Sequence, residues 1–227
     1  MTDSRIARLT AAAGIAFVAL AVLEQIIAGL LPAPPDPGAS IVDIVAFGAN
    51  HATQGLFIAW YSGLGIAFLV VFGVGLLHVL DPRGGPISRI GFAGVILAYA
   101  IALVRFGLLV AFVQTARPGD DSGPAALFVA VDALARMYVF PLALFLGAVA
   151  ILAHQVSIAA WVAWGAGALA IANIAISLGA VFGPDLGFAG FLAFLIWIAV
   201  TSVALRSRSL GRAVGPAATG TPKEALS

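Results

Sequence analysis

Apolar runs of about twenty residues, the length an α-helix needs to cross a hydrocarbon core of roughly 30 Å, constrain this chain more than anything else in it. They fall at residues 9–31, 57–80, 90–113, 131–153, 158–180 and 188–205, and so predict an all-α, six-helix transmembrane bundle in one domain over 1–212. Within lipid every backbone N–H and C=O must be satisfied inside the segment or its closed partner set, which helices do unaided. Of the 227 residues 62% are hydrophobic and 9% charged, and the mean hydropathy is +1.12. That composition excludes a water-soluble globule and makes the lipid bilayer the first partner. Eleven basic and ten acidic residues nearly cancel, so no global field draws in nucleic acid. With no cysteine there is neither a disulfide nor a thiolate metal site.

Gly and Pro punctuate the runs: "LPAPPDPGAS", "DPRGGPIS", "RPGDDSGP" and "FGPDLG" each break a helix, while "HQVS" is expected to tie helices four and five into a tight hairpin. The first run follows Arg5 and Arg8 as a signal peptide would. It is too long for one and ends on no small-x-small cleavage site, so it is expected to remain as a helix. Arg5, Arg8, Arg83, Arg89, Arg206, Arg208, Arg212 and Lys223 share one side if six helices alternate, against Arg117 on the other. The positive-inside rule then places both termini in the cytoplasm. The small, polar tail over 213–227 is expected to be disordered.

Two helices are expected to outrun the membrane. Ser40 and Asp43 form an S-x-x-D capping pattern, so an interfacial helix over about residues 40–55 should begin outside and continue into helix two. Pro124 suits a first helical turn, and Pro141 should interrupt helix four and strip the Met137 carbonyl of its partner. Small residues at spacings such as Ala59 to Gly63 fit close helix packing within the bundle, with dimerisation as their second use.

The strongest functional signal is charge where charge is unfavourable. In "IALVRFGLLV" Arg105 stands roughly 5 Å from the centre of helix three, counted at 1.5 Å per residue. Glu24 in helix one and Asn173 in helix five fall at nearly the same depth, about 6 Å from their centres. Asp132 and Arg136 are spaced i, i+4 on helix four. Tyr99 and Tyr138 lie within reach, and Asn50, His51 and Gln54 mark the outer mouth. Helix six has no ionisable group before Arg206 and is expected to face lipid or a partner. A lone Arg at mid-membrane costs about 2.5–3.5 kcal/mol on insertion scales. An opposite charge at 4 Å returns about 4 kcal/mol at an effective dielectric of 20, so Glu24 is expected to pair with Arg105.

"PLALFLGAVAILAHQVSIAAWVAWGAGALAI", Pro141 to Ile171, and "GLLHVLDPRGGPISRIGFAG" together resemble the hairpins of bacterial six-helix membrane proteins of the domain of unknown function 4386 type. The resemblance covers about half of the chain and departs from the usual pattern in the fourth-to-fifth turn, where "HQVSIAAW" has neither proline nor a basic residue. It implies the fold and no activity; the expected location, from the apolar runs, is the inner (plasma) membrane, crossed several times.

His78 and His154 at helix ends make a poor metal or haem site, with Asp81 alone as a nearby carboxylate, so neither a metal nor a cofactor is expected. No H-E-x-x-H, P-loop or Rossmann fingerprint is present, and neither "WYSGLG" nor "LGAVFG" carries an activated serine. The expected function is therefore binding or movement of a small amphiphilic or anionic molecule in a polar cavity. The expected lining is Glu24, Arg105, Arg136, Asp132, Asn173, Tyr99, Tyr138, Gln54, His51 and Asn50. Six short helices suit a substrate-binding subunit or a homodimer, and the alternative is an accessory or assembly subunit of a larger membrane complex whose charges are structural. A membrane enzyme with Glu24 as acid or base is the third reading.

Overall fold

The computed structural model describes residues 3–36, 38–117, 122–155, 160–182 and 187–213. Among them every regular element is a helix: α1 (Asp3–Leu30), α2 (Ile41–Asn50), α3 (Ala52–Leu80), α4 (Pro86–Thr115), α5 (Ser122–Met137), α6 (Val139–Gln155), α7 (Ala160–Phe182) and α8 (Gly187–Ala213). Five stretches are long and apolar enough to cross a membrane: Ser4–Leu30, Ala52–Leu80, Pro86–Thr115, Gly123–Gln155 and Phe188–Ser207. α7 adds a shorter apolar run over its described side chains, Ala160–Ala175. The expected disordered tail, with Lys223, and the second half of the H-Q-V-S turn lie outside the described residues.

Local chemistry explains the breaks. Ser40 caps α2, accepting from the Asp43 N–H at 3.2 Å and donating its hydroxyl to Asp43 Oδ2 at 2.6 Å. The expected continuous helix into the second span is not formed. α2 stops at Asn50, the chain bends at His51 (φ −122°, ψ 25°), and α3 starts afresh at Ala52. His51 closes α2 twice over, its backbone N–H and its ring Nδ1 both reaching the Phe47 carbonyl, at 2.9 and 3.0 Å. Between α3 and α4, Gly84 takes φ +66°, a left-handed conformation glycine adopts without strain. Asp81 organises that turn by accepting from the Gly85 N–H at 2.6 Å, and Pro86 opens α4. α5 and α6 are one span broken at Tyr138, because Pro141 has no N–H to give the Met137 carbonyl.

Neighbouring spans run antiparallel. α1 lies along α3 with Thr10 against Gly75 at one end and Glu24 against Ser62 towards the other. α3 lies along α4 through Gly73 against Val95 and Gly55 against Val113. α4 meets α6 at Gly91 and Gly94, α6 packs on α7, and α7 on α8, where Trp197 Nε1 donates to the Val162 carbonyl at 3.3 Å. α8 closes the ring against α1, with Ser202 lying on Gly14 and the Phe17 and Phe194 rings 6.4 Å apart. One apolar core, centred on Phe72, Leu76, Phe145, Leu146, Val149 and Ile198, fills most of the bundle. A second, with Ile44 and Val45 of α2, Phe112 and Val113 of α4, and Ala125 of α5, caps one end. We call this the α2 end. The start of α1, the end of α8 and the turn bearing Arg83 and Arg89 lie at the opposite end.

α4 approaches α6 so closely that a Cβ on Gly94 would stand 2.6 Å from the Pro141 carbonyl oxygen and 2.8 Å from the Phe145 nitrogen. Those atoms are backbone and cannot swing aside. Gly94→Val is expected to lower stability by about 1–3 kcal/mol in a detergent melting or unfolding assay. Gly107→Ala, where a Cβ meets nothing within 4 Å, is expected to leave the melt unlowered.

Candidate functional site

Towards the α2 end the antiparallel spans do not fill the space between them. A cavity of about 280 Å³ opens there, and it receives side chains from α1, α3, α4, α5, α6 and α8. Its polar groups are Glu24 and Gln25 of α1, Ser62 of α3, Tyr99 and Arg105 of α4, and Tyr138 at the break between α5 and α6. Phenylalanine rings make much of the rest: Phe17, Phe106, Phe145, Phe191 and Phe194. An apolar chamber with a few convergent polar groups is the usual form of a small-molecule site.

The polar groups are held in different ways. Glu24 Oε1 accepts from the Ser62 hydroxyl at 2.5 Å, a short charge-assisted contact that orients the carboxylate. Arg105 is half-buried and its Nε is fully enclosed with no hydrogen-bond partner. Its guanidinium carbon lies 5.9 Å from the centre of the Phe106 ring. The expected Glu24 to Arg105 ion pair is not made. Both residues line one cavity, but Arg105 has no carboxylate within 4.0 Å among the described residues, and Ser62 occupies Glu24 instead.

Arg105 also lines a second cavity, of about 380 Å³, nearer the α2 end. There it is joined by Asp36, His51, Gln54 and Asp132, with Pro34, Pro35 and Phe47. Gln54 Nε2 donates to the Pro32 carbonyl at 3.3 Å, tying the α1–α2 connection to α3. The guanidinium thus stands in the partition between an outer vestibule and an inner chamber.

Of the residues expected from sequence, Glu24, Arg105, Tyr99 and Tyr138 meet in the inner cavity, and His51, Gln54 and Asp132 meet Arg105 in the vestibule. The other three do not join them. Asn173 lines neither cavity and donates to the Leu169 carbonyl of its own helix at 2.8 Å. Arg136 pairs with Asp132 at 3.0 Å as the i, i+4 spacing predicts, yet its side chain is 53% exposed and lines neither cavity. Asn50 is exposed at the end of α2. Ser62 was passed over in sequence, although it is one of few polar residues in its span. Helix six, expected to stand outside the site, reaches it as α8 through Phe191 and Phe194. Apolar residues carry no mark of which way they face, so only packing could reveal that.

Compared with protein-family models, with curated proteins and with solved structures, the chain matches none.

Ser62→Ala removes the side-chain donor that Glu24 has among the described residues and is expected to lower stability by about 1–2 kcal/mol. Asp132→Ala, which breaks a pair largely open to its surroundings, is expected to cost less than about 1 kcal/mol in the same assay.

Proposed function

We propose that this protein binds a small amphiphilic molecule through an anionic group, in the inner cavity, with Arg105 as the anion's partner. The observation that carries this is the state of Arg105: a guanidinium at membrane depth, its Nε enclosed without an acceptor, facing two cavities and paired with no carboxylate among the described residues. Leaving a buried donor unsatisfied costs about 1–3 kcal/mol. A ligand carboxylate or phosphate would supply the missing acceptor in the bidentate form that guanidinium favours. The phenylalanine walls would take the apolar remainder.

The proposed setting is six crossings, with α7 as the sixth, in the inner membrane. The arginines of the α1 start, the α3–α4 turn and the α8 end set that end of the bundle in the cytoplasm. The α2 end, and the vestibule with it, then face outward, so a ligand would arrive from outside past His51 and Gln54. Movement across the membrane is a further step in the same reading, and six spans suit a binding subunit or a dimer better than a solitary transporter.

A second reading, an accessory subunit of a membrane complex, draws on the surface between α3 and α4. There Ala59, Gly63 and Gly107 leave an apolar groove beside Trp60, which is 79% exposed. In that reading the buried charges only fix helix register. The double variant Glu24→Gln/Arg105→Gln separates the two: a binder keeps its melting temperature and loses a co-purifying anion of a few hundred daltons in native mass spectrometry. A register device loses melting temperature and never showed the ligand.

A further inference from the structure

The inner cavity holds one anion and one cation that do not touch. Glu24 is engaged by Ser62 at 2.5 Å, and among the described residues Arg105 has no carboxylate within 4.0 Å, yet both side chains face the same space of about 280 Å³. Opposite charges in a poorly polarisable interior attract strongly, by about 4 kcal/mol at 4 Å and an effective dielectric of 20. Keeping them apart therefore needs a reason, and Ser62 on one side and the Phe106 ring beside the guanidinium on the other supply the geometry.

A purely anionic guest satisfies Arg105 but brings its charge towards Glu24. A purely cationic guest does the reverse. A guest with an ammonium and an anionic oxygen group a few bonds apart satisfies both ends and leaves the site neutral. Resting on the reading of Arg105 as an anion partner, we infer that the cavity takes a zwitterion with an aromatic or similarly bulky apolar remainder. The ammonium meets the Glu24 carboxylate, the carboxylate or phosphate meets Arg105, and the remainder lies among Phe17, Phe145 and Phe194. An ammonium among ring faces gains a cation–π contribution as well. Two sources carry this chemistry: a free amino acid with an aromatic side chain, and the phosphoethanolamine head of a bilayer lipid.

The test is equilibrium binding to the full chain in an uncharged detergent, using four probes: phenylalanine, 3-phenylpropionate, 2-phenylethylamine and glycerophosphoethanolamine. A zwitterionic probe is expected to bind at least about tenfold tighter than either singly charged one. Glu24→Gln should reduce phenylalanine to the level of 3-phenylpropionate, while Ser62→Ala, which keeps the charge, retains the preference. Phenylalanine as the tightest probe assigns a free amino acid, and glycerophosphoethanolamine as the tightest assigns a lipid head. If 3-phenylpropionate binds as tightly as phenylalanine and ignores Glu24→Gln, the zwitterion inference is overturned and anion binding at Arg105 stands. If a cooperatively melting wild type binds none of the four, the inference is overturned. Should Arg105→Gln then also leave the co-purifying mass unchanged, the ligand reading of Arg105 goes with it.

Discussion

One guanidinium placed where lipid offers it no hydrogen bond sets the terms for the α2 end of this bundle. Arg105 could be tolerated by snorkelling, by pairing or by facing a polar space. Among the described residues no carboxylate stands within 4.0 Å of it for the second. The chain answers with the third. Six helices stop short of filling the space around it, and their few polar side chains, Glu24, Ser62, Tyr99 and Tyr138, turn into that space. Towards the opposite end the same helices close on a dry core of Phe72, Leu146, Val149 and Ile198.

Close glycine contacts occur at both ends of the bundle, at Gly48 and Gly55 near α2 as well as at the opposite end. At Gly14, Gly75, Gly91 and Gly94 the helices press together until a single methyl would overlap a neighbour. Gly91 and Gly94 anchor α4 through its first half, which also carries Tyr99, and its second half carries Arg105 to the cavity. The α5–α6 break serves the same region. By removing one backbone bond, Pro141 lets the span bend at Tyr138 and brings that ring to the cavity wall. α2 and the start of α5 close over the end of α4 with Ile44, Val45, Phe112 and Ala125, leaving the vestibule beside them. A rigid scaffold with a partly open, polar end is the arrangement a preorganised binding site requires.

Depth along a helix can be counted from sequence, and facing direction cannot. Counting at about 1.5 Å per residue brought Glu24 and Arg105 to one level and, through them, the inner cavity. The same count brought Asn173 to that level, but α7 turns it onto its own Leu169 carbonyl. The Asp132–Arg136 pair was legible because i, i+4 neighbours share a face whatever the bundle does, while its exposure depended on how α5 packs. The Ser40 cap and the Pro141 break were legible because each acts on a specific backbone group. The break at His51 was not, since no Gly or Pro marks it and the ring that closes α2 is not a common stop signal. The contribution of α8 was hidden because Phe191 and Phe194 look the same whether they meet lipid or a cavity.

The absence of cysteine in the chain permits a direct test of the central claim, that Arg105 makes an accessible cavity attractive to anions. Ala102 lines the inner cavity one helical turn from Arg105. The measurement is the rate at which Ala102→Cys reacts with a sulfonate-bearing and with a trimethylammonium-bearing methanethiosulfonate of similar size, in the Arg105 background and in Arg105→Gln. An anion-attracting Arg105 makes the anionic reagent react faster by at least about tenfold, with that advantage lost in Arg105→Gln. Equal rates in both backgrounds, or no reaction with either reagent in a folded protein, would contradict it.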